Sequence, residues 1–182
     1  MENLTNPVCD KNTIEFATVA LEYCTFIESA QLYTLSDFVD KTLKLLPLLY
    51  LKGSLLPEVD INELDEPYSE GSVTEDMYEL VRGRVAALLG KYDSYLDVSP
   101  DSDLPVIAFV SENMADVYQD IGNFVALYRE GYEPAMKQAV SDCFINWEYW
   151  GQQVLNVLKA LHSVRWEVAE KDNNDDEIDG GF

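Results

Sequence analysis

Apolar residues recur along this chain at intervals of three and four, the period of a helix buried on one face. No segment shows sustained strand alternation bounded by hairpin turns. The pattern predicts an all-α fold, a single up-and-down bundle of about five helices. Asn12-Thr13-Ile14-Glu15 has the form of a capping box, and Ile14, Ala17, Leu21, Cys24 and Ile27 share the face of a first helix over about 13–30. Thr34 or Ser36 caps a second, whose stripe of Leu35, Phe38, Thr42, Leu45 and Leu49 runs to Gly53. Pro47 lies inside it and is expected to kink or divide it, because it lacks a backbone donor.

Ser72-Val73-Thr74-Glu75 opens a third helix over about 74–91, with Met77, Leu80, Val81, Val85 and Leu88 on its face. The clearest stripe belongs to a fourth helix that starts at Ser102 or Asp103: Ile107, Val110, Met114, Val117, Ile121, Phe124 and Tyr128. Gly131 stops it, Pro134 suits the first turn of the next, and one long last helix is expected over 134–169.

Composition adds a strong charge bias to this picture. Among 182 residues, 34 Asp and Glu stand against 12 Lys and Arg, for a formal charge of −22. Residues 57–79 carry nine carboxylates and no Lys or Arg, and residues 170–182 carry six against one lysine. The first segment reads as an acidic loop. The second reads as a disordered acidic tail (170–182) following one helical bundle domain (1–169). Such an excess repels nucleic-acid phosphate, so a nucleic-acid partner is not expected.

The longest apolar run, Leu45 to Leu51, is too short to span a bilayer and contains Pro47, so no membrane span is expected. The first residues lack a basic start and an apolar stretch, which predicts a cytoplasmic protein. Cys9, Cys24 and Cys143 have no C-x-x-C spacing and read as reduced thiols, two of them in the core.

Candidate chemistry lies beside the stripe of the fourth helix. Phe109, Asn113, Asp116, Asp120, Asn123 and Leu127 form a second line, apolar at its ends and polar in its middle. Asp116 and Asp120 are a like-charge i, i+4 pair, and with Glu112 from the adjacent line they offer hard oxygens suited to Mg²⁺ or Mn²⁺. The simpler reading is a solvated face, or carboxylates paired with Arg on a neighbouring helix. Arg82 and Arg84 are the only tight basic pair and suit internal carboxylates. His162, the only histidine, reads as a hydrogen-bonded boundary residue. Trp150 and Gly151 read as packing, because a mid-helix Gly marks a close approach. No phosphate-loop, dinucleotide, nucleophile-elbow or zinc-protease motif is present.

Asp116-Val117-Tyr118-Gln119-Asp120, Trp150-Gly151 and Ala160-Leu161-His162 together resemble a family of small, uncharacterised all-helical bacterial proteins classed as a domain of unknown function. The resemblance implies a helical, cytoplasmic protein without an assigned activity. It also implies that Asp116, Tyr118, Asp120, Trp150, Gly151 and His162 belong to the family pattern, for packing or for a site.

Two functional expectations follow. The first is a non-enzymatic interaction or scaffold protein whose acidic surfaces engage a basic protein. The second is an Mg²⁺- or Mn²⁺-dependent hydrolase of a phosphorylated small molecule centred on Asp116 and Asp120, like the all-α pyrophosphatases. No cofactor is fixed by the residues, and oligomeric state is left open.

Overall fold

The computed structural model describes residues 6–60, 72–98 and 104–179, with side chains as far as Glu170. Six helices and one short hairpin follow in order: α1 (Lys11–Glu28), α2 (Leu35–Gly53), α3 (Glu75–Leu89), β1 (Ser94–Asp97), β2 (Val106–Phe109), α4 (Val110–Tyr128), α5 (Glu133–Ile145) and α6 (Trp147–Asp179). The fold is predominantly all-α, with bundle-like packing, as the periodicity predicts. No helix among the described residues is long and apolar enough to cross a membrane.

Local chemistry sets the helix starts. Asp10 caps α1 by accepting from the Asn12 N–H at 2.8 Å, two residues ahead of the expected cap at Asn12. Thr34 caps α2 through the Asp37 N–H and Thr74 caps α3 through the Met77 N–H, each satisfying an otherwise orphaned donor. Pro47 sits inside α2, which stays one helix. Gly90, at φ +53°, ends α3 in a conformation that disfavours a Cβ, and Gly131, at φ +68°, ends the turn before α5.

Four expectations are corrected. The buried face of α1 is Thr13, Phe16, Ala20, Tyr23, Cys24, Phe26 and Ile27, so Ile14 and Leu21 are exposed. The apolar residues of this helix nearly encircle it, and a one-position rotation of the stripe is invisible in one dimension. On α3 only Val81, Val85 and Leu89 are buried, while Met77 and Leu80 are exposed.

The first residues of the expected fourth-helix stripe lie in an antiparallel hairpin instead, with Leu96 opposite Ile107 and Ser94 opposite Phe109, while the expected starts Ser102 and Asp103 lie outside the described residues. Ile107, in the strand, is 69% exposed. It precedes Val110 by three residues, so the helical period extends into the strand by coincidence. Finally, the long last helix divides at Asn146 into α5 and α6. There the Trp150 N–H donates to the Asn146 carbonyl, and the indole Nε1–H turns back to the Cys143 carbonyl at 3.0 Å. Helix α6 reaches Asp179, past the expected end at 169, and neither Pro nor Gly occurs between Gly151 and Gly180 to stop it. The disordered-tail expectation therefore meets a helical backbone to Asp179. Side chains from 171, residues 180–182 and the middle of the acidic loop (61–71) lie outside the described residues.

Helix α4 is the centre of the fold, touching α1, α3, α5 and α6, while α2 packs on both α1 and α6. Met114, Val117, Ile121 and Phe124 are buried along its stripe, as predicted. Tyrosine hydroxyls tie the surrounding helices to it. Tyr23 donates to the Met114 carbonyl at 2.8 Å, and Tyr118 donates to Glu28 Oε1 at 2.7 Å. The start of α4 is held by a residue far from it in sequence. The buried Asp93 carboxylate accepts from the Ser111 N–H and the Ser111 hydroxyl, and its carbonyl accepts from the Val110 N–H. A carboxylate at a helix N-terminus satisfies both the orphan donors and the helix dipole.

Candidate functional site

Because α4 is surrounded, its polar line faces neighbouring segments, and each member makes a different joint. The Asn113 amide donates to the Tyr95 hydroxyl on β1. Asp116 Oδ1 accepts from the Tyr78 hydroxyl of α3 at 2.8 Å, and Asp120 Oδ1 accepts from the Asn146 amide at the α5/α6 break at 3.1 Å. Asn123 Oδ1 accepts from the Val73 N–H at 2.8 Å, fixing the chain just before α3. The line is apolar at Leu127, which is buried, and at Phe109, which is the last residue of β2.

Outward from these joints the surface is an acidic furrow. Glu112 is exposed at one end, near Tyr78 and Arg82, and Arg82 forms a 2.6 Å ion pair with Glu79. Tyr149 on α6 faces Asp116 and Asp120 from the other wall: burial first, then these two carboxylates, pushes its hydroxyl pKa up. Burial and the bond to Asp116 push that of Tyr78 up likewise. Behind Asp120, a polar cavity of about 140 Å³ between α4 and α5 is lined by Asp120, Asn123, Asp142, Cys143 and Asn146. Burial raises the Asp120 carboxyl to about 6, aided by Asp116 and Asp142 and opposed by the Asn146 bond. Burial also raises Asp142. The Cys143 thiol is pushed well up by burial and by the Asp120 and Asp142 carboxylates, so it stays protonated and weakly nucleophilic.

The remaining candidates scatter. Tyr118 lies on another face of α4, bonded to Glu28. Trp150 is fully buried, and a Cβ at Gly151 would come within 3.3 Å of the Tyr50 ring, so both pack as expected. His162 is exposed, beside the buried Leu161 in the chain, and its ring lies within hydrogen-bond distance of the Arg165 guanidinium. Arg84 donates to the Glu28 carbonyl. Cys24 and Cys143 are buried free thiols and Cys9 is exposed. Among the described residues, no three His, Cys, Asp or Glu side chains converge so as to hold a metal ion. Tyr78, Tyr149, Asn146 and Asp142 complete the furrow and its cavity but carry no signal in sequence, because they reach α4 from three other helical segments.

The raised Asp120 carboxyl makes a pH prediction. Its folded pKa, about 6, exceeds the ordinary 3.8. Between those values the native state therefore holds a proton that the unfolded chain does not. The fold gains stability from this group as pH falls through 6 and loses it as pH rises. Asp120→Asn, which keeps an acceptor for Asn146, should raise stability at pH 7.5 by about 1 kcal/mol, discounted for the group's remaining exposure. Urea melts at pH 7.5 and pH 5 should show that gain shrinking at the lower pH; equal differences at both would refute the assignment.

Comparison with known proteins bears on the whole chain. Residues 7–167 match the family model described as "Domain of unknown function (DUF5063)". The crystal structure of protein BF1032 from Bacteroides fragilis is similar, with 41% sequence identity and a TM-score of 0.78 over 87% of this chain and 94% of that one. Comparison with curated proteins yields no match.

Proposed function

We propose, from the premise that this chain belongs to the DUF5063 family of domains of unknown function, that it is a non-catalytic interaction module whose acidic furrow on α4 takes a basic protein surface. One observation carries this reading. Among the described residues, seven of the chain's twelve Lys and Arg already sit in ion pairs with carboxylates of the same chain: Lys11, Lys41, Lys44, Lys52, Arg82, Lys91 and Lys137. The formal charge of −22 already counts all twelve cations, so carboxylates exceed the cations that could pair with them by 22. Glu112, Asp116 and Asp120 lie together between two tyrosines, an arrangement that suits a lysine or arginine side chain through charge and ring contact. Electrostatics of this kind speeds association and sets partner choice more than it adds affinity.

The test uses the full chain immobilised against a cell lysate at low salt and at about 0.5 M NaCl. Basic proteins should be retained at low salt, released at high salt, and bound about tenfold more weakly by Glu112→Gln/Asp116→Asn, in which Tyr78 keeps an acceptor. Retention that ignores both salt and the variant would overturn the reading. So would a melting temperature raised by millimolar Mg²⁺ or Mn²⁺ in the wild type but not in Asp116→Asn/Asp120→Asn, since that result assigns the carboxylates to a metal.

A further inference from the structure

The first half of α2 and the last described turns of α6 bound a groove of about 460 Å³ on a different side of the molecule. Val39 and Leu43 on one wall and Trp166 and Ala169 on the other supply its apolar surface. Trp166 is 68% exposed, although a tryptophan standing on a helix surface leaves a large apolar area in water. Exposed Trp and Arg side chains are the types that most often anchor protein contacts.

The charges in the groove are distributed in an unusual way for this protein. Asp37, Asp40, Lys44 and Arg165 all line it, and their formal charges cancel on a molecule whose total is −22. Lys44 and Asp40 pair with each other at 2.6 Å. That leaves Asp37 on the α2 wall and Arg165 on the α6 wall, each without an ion-pair partner among the described residues. The Arg165 guanidinium lies over the Trp166 ring, 4.7 Å from its centroid, with His162 beside it.

A surface that carries one free charge of each sign on opposite walls is complementary to itself under a two-fold rotation. Within the groove the four lining charges sum to zero, so the contact itself adds no net like-charge repulsion between two molecules of charge −22, although the acidic stretch from Glu170 follows directly on Ala169. We propose that this groove is the contact surface between two copies of the chain, related by a two-fold axis that sets Arg165 of each copy against Asp37 of the other and covers both Trp166 rings. The acidic furrow on α4 is not part of it, so a dimer of this kind presents two furrows to partners.

Sedimentation equilibrium of the full chain, from low micromolar to about 200 µM in about 0.3 M NaCl to screen net repulsion, tests the proposal. The expected result is a species of twice 20.6 kDa. Trp166→Ala, Arg165→Asp and Asp37→Arg should each weaken self-association about tenfold or more, while circular dichroism and melting show an intact fold. Mixing Arg165→Asp with Asp37→Arg should restore association, because both opposite-charge pairs re-form in the mixed dimer and in neither variant alone. A monomer at every concentration, a dimer indifferent to all three substitutions, or a mixture no tighter than its components would each overturn it.

Discussion

Trp150→Ala is expected to lower the stability of this protein by about 3–5 kcal/mol, a drop of roughly 10–15 °C in melting temperature for a chain of this length. The indole is fully buried at the point where α2, α5 and α6 meet and lies 6.1 Å from the Phe16 ring of α1. Truncation removes its transfer free energy and leaves a cavity ringed by four helices, which can collapse only in part. It also strips the Cys143 carbonyl, at the end of α5, of the Nε1–H that satisfies it. Trp150→Phe separates the two contributions, since it keeps most of the apolar volume and loses the hydrogen bond; a loss of about 1–2 kcal/mol is expected. A Trp150→Ala protein melting within about 2 °C of wild type would show that the α5/α6 break does not depend on this ring.

Gly53→Ala should destabilise from the other side of the same contact. A Cβ built at Gly53 lies 2.3 Å from Trp150 Cη2 and 2.7 Å from Cζ2, with Trp147 Cδ1 at 3.0 Å. Intrinsic helix propensity favours Ala over Gly by about 1 kcal/mol, so propensity and packing oppose each other here. Packing should win, because the clashing atoms belong to a rigid ring held in a dense core, and a net loss of about 2 kcal/mol is expected. Gly83 is the internal control: it lies within α3 with nothing inside 4 Å of its ideal Cβ, and Gly83→Ala should stabilise by about 0.5–1 kcal/mol. In the Gly53→Ala/Trp150→Ala double variant the clash with the Trp150 ring no longer exists. Its total loss should therefore fall short of the sum of the single losses, measured by chemical denaturation. Strict additivity would mean that the Gly53–Trp150 contact is not what limits residue 53.

Much of the scaffold was legible because it rests on short-range chemistry. Thr34 caps α2 as its side chain predicts, Thr74 caps α3 two residues after the Ser72 of the expected capping box, Gly131 and Pro134 mark the break before α5, and Met114, Val117, Ile121 and Phe124 of the central stripe are buried. The motifs from Asp116 to His162 pointed to a helical family of unknown function, to which the chain belongs over residues 7–167. The candidate site was only half legible. Asp116 and Asp120 stand out as a like-charge pair, but their contacts to Tyr78 and Asn146 span intervals of 38 and 26 residues. No periodicity records such pairings.

By itself, then, the sequence determined the helical class, the starts of α2, α3 and α5 to within about a residue, the central stripe and the excess of negative charge, since each depends on residue type and on spacing within a few turns. Tertiary structure alone decided that α4 is enclosed by four helices, so that its polar line became a set of joints instead of a free face. It also decided that Asp93 would hold the start of α4, and that the run before Val110 would pair as a hairpin. The same was true of the division of the last helix at Asn146, between Asp120 and the returning indole of Trp150. The physical reason is common to these cases: each is settled by groups that meet only after the chain has folded, where the cost of burying an unpaired donor or carboxylate outweighs the few tenths of a kcal/mol that separate local conformations.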